Sequence, residues 1–188
     1  MDFTALTRAM DGMAVSSALA AATVFVCGIA AASGPASLTV VSPAFADGGM
    51  IPVKHTCDGR DVSPEIRISG VPAGAVSLAI LCDDPDAPVG DWVHWLLFNL
   101  PPDTKTLAEG ISLDDLHGSM AVPGANSWGK LTYGGPCPPS GTHRYFFKIY
   151  ALSSKLDLPA GANKAKFLEA IHGRVLAEGH LMGRYARL

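Results

Sequence analysis

The sequence is poor in charge, and neither sign predominates. Only 16% of its 188 residues are charged, with 14 Lys and Arg against 17 Asp and Glu. A nucleic-acid-binding surface needs clustered basic residues, and a helix lying on a membrane surface needs a basic polar face. The sequence has neither pattern, so we expect no nucleic-acid partner and no helix of that kind.

Internal repeats, linkers and low-complexity tracts are also lacking after the first 32 residues. Glycine and proline are frequent for a helical protein, at 20 and 14 residues, and favour a chain of short strands and turns. Runs of β-branched, aromatic and other apolar residues predict strands at Leu38–Val41, Ile66–Ile68, Val76–Cys82, Trp92–Leu100, Tyr145–Leu152 and Val175–Tyr185. The segment Trp92–Phe98 is apolar on both faces, which is typical of a strand buried from two sides.

A single segment, Asn163 to His172, predicts a helix. Asn163 is a favourable N-cap, Gly173 is suited to end the helix, and its apolar stripe is formed by Phe167, Leu168 and Ile171. One short helix near the C-terminus among many strands indicates a mostly β fold, a two-sheet antiparallel β-sandwich-like domain.

The N-terminal 32 residues differ from the rest. Arg8 precedes a nearly continuous apolar run from Ala14 to Ala32, which is typical of a secretory signal peptide. The run is also long enough for an uncleaved membrane anchor, and Ala46 offers a second cleavage position. We predict cleavage near Ala32, a single domain over residues 33–188, and an exported protein of the periplasm or cell envelope.

The cysteines beyond the apolar run are three, an odd number. Cys82 ends an apolar strand and is most simply a small buried residue. Cys57 and Cys137 both fall in loop sequences. Two unpaired thiols are the simpler interpretation, and a disulfide between them is the alternative that export permits.

Two proline-rich stretches concentrate the polar chemistry. The first is Asp84-Pro85-Asp86-Ala87-Pro88, followed by His94, and the second is Gly135-Pro136-Cys137-Pro138-Pro139, followed by His143-Arg144-Tyr145. Proline stiffens both loops, and residues two apart face the same side of a strand. We therefore expect Asp84 with Asp86, and His143 with Tyr145, to face one pocket. Imidazolium groups beside carboxylates, and amides freed by Gly134 and Gly135, suit an anion.

Catalysis is a weaker interpretation of the same residues. Two His and two Asp could hold a metal, but their spacing matches no ligand motif, and Arg144 lies nearby. Ser140 lacks the Gly-x-Ser-x-Gly context of a hydrolase nucleophile. Cys137 with His143 could form a thiolate pair, yet the flanking prolines provide no helix N-terminus to activate it. We expect no metal, no cofactor and no enzymatic activity.

These motifs resemble the phosphatidylethanolamine-binding protein family, also called the Raf kinase inhibitor protein family, and most closely its bacterial branch. The resemblance spans about Ser37 to Arg187 and rests mainly on the two proline-rich stretches, with Trp92-Val93-His94-Trp95 and Leu181-Met182-Gly183-Arg184-Tyr185. It implies a two-sheet antiparallel β fold with a small pocket for phosphate, phosphoethanolamine-like or carboxylate groups. The implied pocket residues are Asp84, Pro85, Asp86, His94, Tyr133, Gly135, Pro136, His143 and Tyr145.

The resemblance also implies roles and partners. His94 and His143 would donate to the anion, while Asp84 and Asp86 would orient the rings or accept from an ammonium group. Relatives are regarded as binding or inhibitory proteins, and bacterial ones look dimeric, so we expect a homodimer that binds a small ligand, such as a lipid headgroup. Two alternatives remain: a protease or signalling inhibitor acting through protein contact, and a weak hydrolase using the Asp/His cluster.

Overall fold

The computed structural model describes residues 36–116 and 118–187. The segment predicted as signal or anchor, residues 1–32, lies outside the described residues. Within those ranges the chain forms nine strands and one α-helix, which in chain order are β1 (Ala36–Ser37), β2 (Thr39–Val41), β3 (Ile66–Ser69), β4 (Ser77–Asp84), β5 (Trp92–Leu100), β6 (Thr106–Leu107), β7 (Val122–Pro123), β8 (Thr142–Leu152), α1 (Lys164–Ile171) and β9 (Val175–Ala186).

The strands form two sheets. One has six strands in the order β1-β9-β8-β4-β5-β7, and the other has three in the order β2-β3-β6. All pairs are antiparallel except β1 with β9, which is parallel. The predicted mostly β, two-sheet fold with one short helix is therefore confirmed, with one parallel pair that the prediction did not contain.

Strands β4 and β5 form the centre of the protein, and nearly all of their residues are buried. One apolar cluster contains residues of both sheets, such as Ile66 of β3 and Ile80 of β4. A second cluster packs α1 against the six-stranded sheet through contacts that include Phe98 and Phe167. Burial on two sides explains why the sequence of β5 is apolar at consecutive positions.

Helix α1 begins as the sequence predicts. The side chain of Asn163 accepts a hydrogen bond from the backbone N–H of Lys166 at 3.1 Å, and Gly173 adopts a positive φ just after the helix. Phe167 and Ile171 are buried, but Leu168 is 40% exposed. The predicted apolar stripe was therefore wrong at Leu168, because this residue lies about 100° around the helix from Phe167.

The structure joins Cys57 and Cys137 in a disulfide that spans 80 positions of the sequence, with their Cα atoms 5.4 Å apart. Of the two alternatives left by the sequence, the simpler one, two unpaired thiols, is therefore wrong. Cys82 is 1% exposed and unpaired, as expected of a small core residue. In the part of the chain that the structure describes, no helix is long and apolar enough to cross a bilayer.

Candidate functional site

A cavity of about 340 Å³ lies where the end of β4 and the starts of β5 and β8 meet their connecting loops. Its polar lining consists of Asp84, His94 and His143. Its remaining lining is largely apolar and comes from the loops and the first residue of β5, namely Ala87, Pro88, Val89, Trp92, Trp128, Cys137, Pro138 and Pro139. Three of the predicted pocket residues thus line one cavity, with proline on two of its sides.

Asp84 and His143 form a buried pair at the base of this cavity. The Nδ1 atom of His143 donates to Oδ2 of Asp84 at 2.7 Å, and the side chains are 9% and 5% exposed. The other carboxylate oxygen of Asp84 accepts from the backbone N–H of Asp86 at 2.8 Å, which fixes the turn after β4. The ring of His143 therefore has a set orientation and a negative charge on its Nδ1 side.

His94 reaches the cavity through a β-bulge. Cys82 of β4 pairs with Trp95 of β5, but Asp83 pairs with Val93, so His94 is the extra residue. A bulge changes the direction of a side chain relative to regular alternation. Trp95 and Val93, which would share a face in a regular strand, instead pack in different apolar clusters.

The protonation of His94 is set by its surroundings. Its Nδ1 atom donates to the carbonyl oxygen of Gly134 at 2.7 Å, and its ring packs edge-on against Trp128 and Tyr145, with centroids 5.1 Å away in each case. Burial lowers the pKa of His94 below its usual value, although the Gly134 carbonyl and the charge of Asp84 oppose this effect. The lowered pKa favours the neutral ring, whereas the sequence led us to expect an imidazolium donor.

Tyr145 lies beside both histidine rings. It is fully buried and stacks on His143 with a centroid separation of 6.5 Å. Its hydroxyl lies near the carboxylate of Asp84, but within the described ranges it makes no hydrogen bond of regular geometry. Burial and the nearby charge of Asp84 raise the pKa of this phenol, so it remains protonated.

Asp86 does not join Asp84 in the cavity, contrary to expectation. Its carboxylate accepts from Nε and Nη2 of Arg144 at 2.9 and 2.7 Å, and also from the backbone N–H of Arg144. The hydrogen bonds from Arg144 lower the pKa of Asp86 to about 2. The turn through Pro85 separates the two carboxylates, and Arg144 lies on the side of β8 opposite His143. Neither histidine is therefore oriented by Asp86.

The remaining predicted residues support the cavity from outside it. The hydroxyl of Tyr133 donates to the carbonyl of His55 at 2.9 Å, and the carbonyl of Pro136 accepts from the N–H of Cys57. The N–H of Gly135 donates to Oδ1 of Asp61 at 2.6 Å. The N–H of Gly134 is likewise occupied, because it donates to the carbonyl of His94. The expectation that these glycine amides bind the anion was therefore wrong.

Gly135 is required at its position for a different reason. A Cβ atom there would lie 2.5 Å from the carbonyl oxygen of His55, so only glycine allows these segments to approach. Tyr133 and Gly135 line a neighbouring cavity of about 470 Å³ together with Ser63, Asp61 and Trp128. Within the described ranges, no group of three or more His, Cys, Asp or Glu side chains is arranged to hold a metal ion.

Sequence reasoning missed the exposed apolar residues at the mouth of the cavity. Val89 is 77% exposed and Trp128 is 44% exposed, and Trp92 packs edge-on against Trp128 at 5.4 Å. Trp128 stands in a loop at Asn126-Ser127-Trp128-Gly129, where an aromatic residue is itself a signal of binding. The Cys57–Cys137 disulfide also forms part of the cavity wall, because Cys137 is one of the lining residues.

The fold and cavity together define a class of two-sheet β proteins with a small histidine-lined cavity at one end of the main sheet. A model of the phosphatidylethanolamine-binding protein family matches residues 41–186 of the chain. The chain therefore belongs to the phosphatidylethanolamine-binding protein family, as the motifs indicated.

Similar proteins come from both archaea and bacteria. The chain is 51% identical to a UPF0098 protein of Methanothermobacter thermautotrophicus, over 77% of the chain and 95% of that protein. It is 42% identical to a UPF0098 protein of Aquifex aeolicus, over 82% of the chain and 92% of that protein.

Solved structures agree with the family. A phosphatidylethanolamine-binding protein homolog from Chlamydia trachomatis is 39% identical, with a TM-score of 0.75, and the match covers 81% of the chain and 99% of that structure. Escherichia coli YbcL, described as a new member of the mammalian family, is 30% identical with the same TM-score, covering 81% of the chain and 100% of that structure.

Proposed function

We propose that this protein is an exported, non-enzymatic binding protein whose cavity takes a small oxyanion, a phosphate ester or a carboxylate. The observation that supports this most directly is the buried Asp84–His143 pair facing a cavity beside His94. The pair fixes the ring of His143 by its Nδ1 atom and leaves its Nε2 atom, which has no partner among the described residues, available to an anion. Family membership supports binding as the general activity.

The cavity also argues for binding rather than nucleophilic catalysis. Cys137 is part of the disulfide, so it has no thiolate to attack a substrate. Ser140 does not line the cavity that contains the histidines and belongs to a separate surface depression. His143 thus has no serine or cysteine nucleophile to activate among the cavity residues.

Nuclear magnetic resonance of the imidazole groups tests this function. On titration with phosphate and phosphoethanolamine, the resonances of His94 and His143 should shift, whereas those of His180, an exposed residue outside the cavity, should not. The variant His143→Ala should remove the shift of His94, and His180→Ala serves as the matched control. No shift at about 10 mM ligand would contradict the proposal.

A second candidate function is an interaction module, because Val89 and Trp128 expose apolar surface at the cavity mouth. In this case a protein partner from the cell envelope would be bound through that surface, and a pull-down would retain it after His143→Ala but lose it after Trp128→Ala.

A homodimer and an envelope location are further parts of the proposal. Native mass spectrometry of protein from the envelope measures the cleavage position, the oligomer and any bound ligand together.

A further inference from the structure

The two cavity histidines have the same ring nitrogen engaged. Nδ1 of His94 bonds to the carbonyl oxygen of Gly134, and Nδ1 of His143 bonds to the carboxylate of Asp84, both at 2.7 Å. These oxygens only accept hydrogen bonds, so each Nδ1 carries a hydrogen. The Nε2 atoms have no hydrogen-bond partner among the described residues and belong to rings that line the cavity. A ligand in the cavity therefore meets the Nε2 atom of His94 and the Nε2 atom of His143.

The two rings differ in the charge behind them. Asp84 places a negative charge against Nδ1 of His143, and an imidazole that carries a second hydrogen beside such a carboxylate donates from Nε2. Gly134 places a neutral carbonyl behind His94, and the ring lies between the edges of Trp128 and Tyr145. An uncharged His94 has a hydrogen only on Nδ1, so its Nε2 is an acceptor. The cavity thus presents one donor and one acceptor.

The ionisable groups around His94 do not cancel this difference. From β4 it is faced by Asp84, from β8 by His143 and Tyr145, and from the loop before β3 by Asp61, whose Oδ1 is occupied by the N–H of Gly135. Asp84 bonds to His143 rather than to His94, and Arg144 is paired with Asp86 away from the cavity. Burial outweighs the nearby carboxylates of Asp84 and Asp61, so the pKa of His94 is lowered.

We propose that the cavity selects oxyanions that carry a proton of their own, such as the monoanion of a phosphate monoester. An anionic oxygen of the ligand accepts from Nε2 of His143, and the ligand hydroxyl donates to Nε2 of His94. An oxyanion without a hydrogen directs a lone pair at the lone pair of His94 and is disfavoured. This inference rests on the proposed function and concerns which anions satisfy it.

Methyl phosphate and methyl sulfate provide a matched pair of probes. Both are tetrahedral and of similar size. Near pH 6 methyl sulfate is a monoanion without a hydroxyl, whereas about half of methyl phosphate is a monoanion with one, because its second pKa is about 6. Isothermal titration calorimetry at pH 6 should give an affinity for methyl phosphate at least tenfold higher, because an unmatched polar group is costly. Above pH 7 the ratio of the two affinities should fall about tenfold per pH unit, as methyl phosphate loses its proton.

The ratio is the decisive quantity because both probes make the same contact with His143 and differ only in what they present to His94. The variant His94→Asn retains a donor toward Gly134 but lacks the Nε2 acceptor, so the ratio should approach one, and His180→Asn should leave it unchanged. Equal binding of both probes to the wild-type protein at pH 6, or a ratio independent of pH, overturns this inference and leaves the proposed function standing. Binding of neither probe at 10 mM overturns both.

Discussion

Asp83 and Asp84 are neighbours at the end of β4, yet they face opposite sides of the six-stranded sheet and bind different partners. Oδ2 of Asp83 accepts from the ammonium groups of Lys148 and Lys164 at 2.7 Å each. Asp84 instead bonds to the imidazole of His143 beside the cavity. Both carboxylates are almost completely buried, so burial alone does not distinguish a structural acid from a functional one.

The partners make the distinction. Lys164 opens helix α1 and also pairs with Asp91, so the Asp83 cluster connects the helix to the sheet. Lysine keeps its charge throughout the neutral range, whereas imidazole is the side chain that ordinarily exchanges a proton there. A buried carboxylate paired with lysine therefore contributes to the fold without a change of charge near neutral pH. A carboxylate paired with a histidine at a cavity can take part in binding a ligand, because the histidine can gain or lose a proton.

The largest expected effect is on stability, from Asp83→Asn. This change leaves two partly exposed ammonium groups around a neutral side chain, because the side chains of Lys148 and Lys164 are 32% and 20% exposed. Weakening these charge-assisted hydrogen bonds should lower the free energy of unfolding by about 1.5–3 kcal/mol. Urea denaturation measures it. Methyl phosphate affinity of the folded variant should stay within about twofold, because the residue lies on the opposite face of the sheet. A large loss of affinity with little loss of stability would reverse the assignment of the two acids.

Asp84→Asn should show the opposite pattern. The amide oxygen of Asn can still accept from His143, but the side chain is neutral, and its NH2 group then faces the backbone N–H of Asp86. We expect the affinity for methyl phosphate at pH 6 to fall about tenfold or more, equivalent to about 1.4 kcal/mol. The free energy of unfolding should change less than in Asp83→Asn. Unchanged affinity in calorimetry would show that the Asp84–His143 pair is structural.

Asp86→Asn should have the smallest effect, because its pair with Arg144 is at the surface. The arginine side chain is 51% exposed, so the pair contributes about 1 kcal/mol or less near neutral pH. The pKa of Asp86 is lowered to about 2, below its value of about 3.9 in an unfolded chain. Its contribution is therefore fully present above about pH 4 and is lost as the pH falls toward 2.

Urea denaturation of the wild-type protein and Asp86→Asn between pH 2 and 6 measures this dependence. The difference in unfolding free energy should be largest at pH 6 and vanish near pH 2, and Asp103→Asn, at an exposed loop position, serves as the control. A difference that grows toward acid would contradict the lowered pKa of Asp86.

The sequence predicted the long elements because their patterns are local. Strands β4, β5, β8 and β9 have continuous apolar or alternating runs, and α1 has its own cap at Asn163. The two-residue strands β1, β6 and β7 have no such pattern, since they exist only where a neighbouring strand provides hydrogen bonds. Short strands of this kind depend on tertiary contacts more than on propensity.

The candidate site was predicted in its composition but not in its chemistry. The two proline-rich motifs, and the family resemblance that they carry, suggested that Asp84, His94 and His143 meet. The bulge at His94 sets the direction of the ring, and the carbonyl of Gly134, 40 positions further along the chain, fixes its tautomer. Burial by the surrounding segments lowers its pKa. The engagement of Asp86 by Arg144 likewise depends on how the turn packs against β8. Such contacts arise only when distant segments come together.

The position of Cys82 between the two bridged cysteines has a consequence for the order of events during folding. In a reduced, unfolded chain, Cys57 is closer in sequence to Cys82 than to Cys137, so loop closure favours the wrong pair. Pairing of β4 in the sheet removes the Cys82 thiol from solvent and leaves the other two to react. If the sheet forms before oxidation, Cys82 is shielded from the wrong disulfide. If oxidation comes first, a Cys57–Cys82 disulfide would keep β4 from taking its buried place in the sheet.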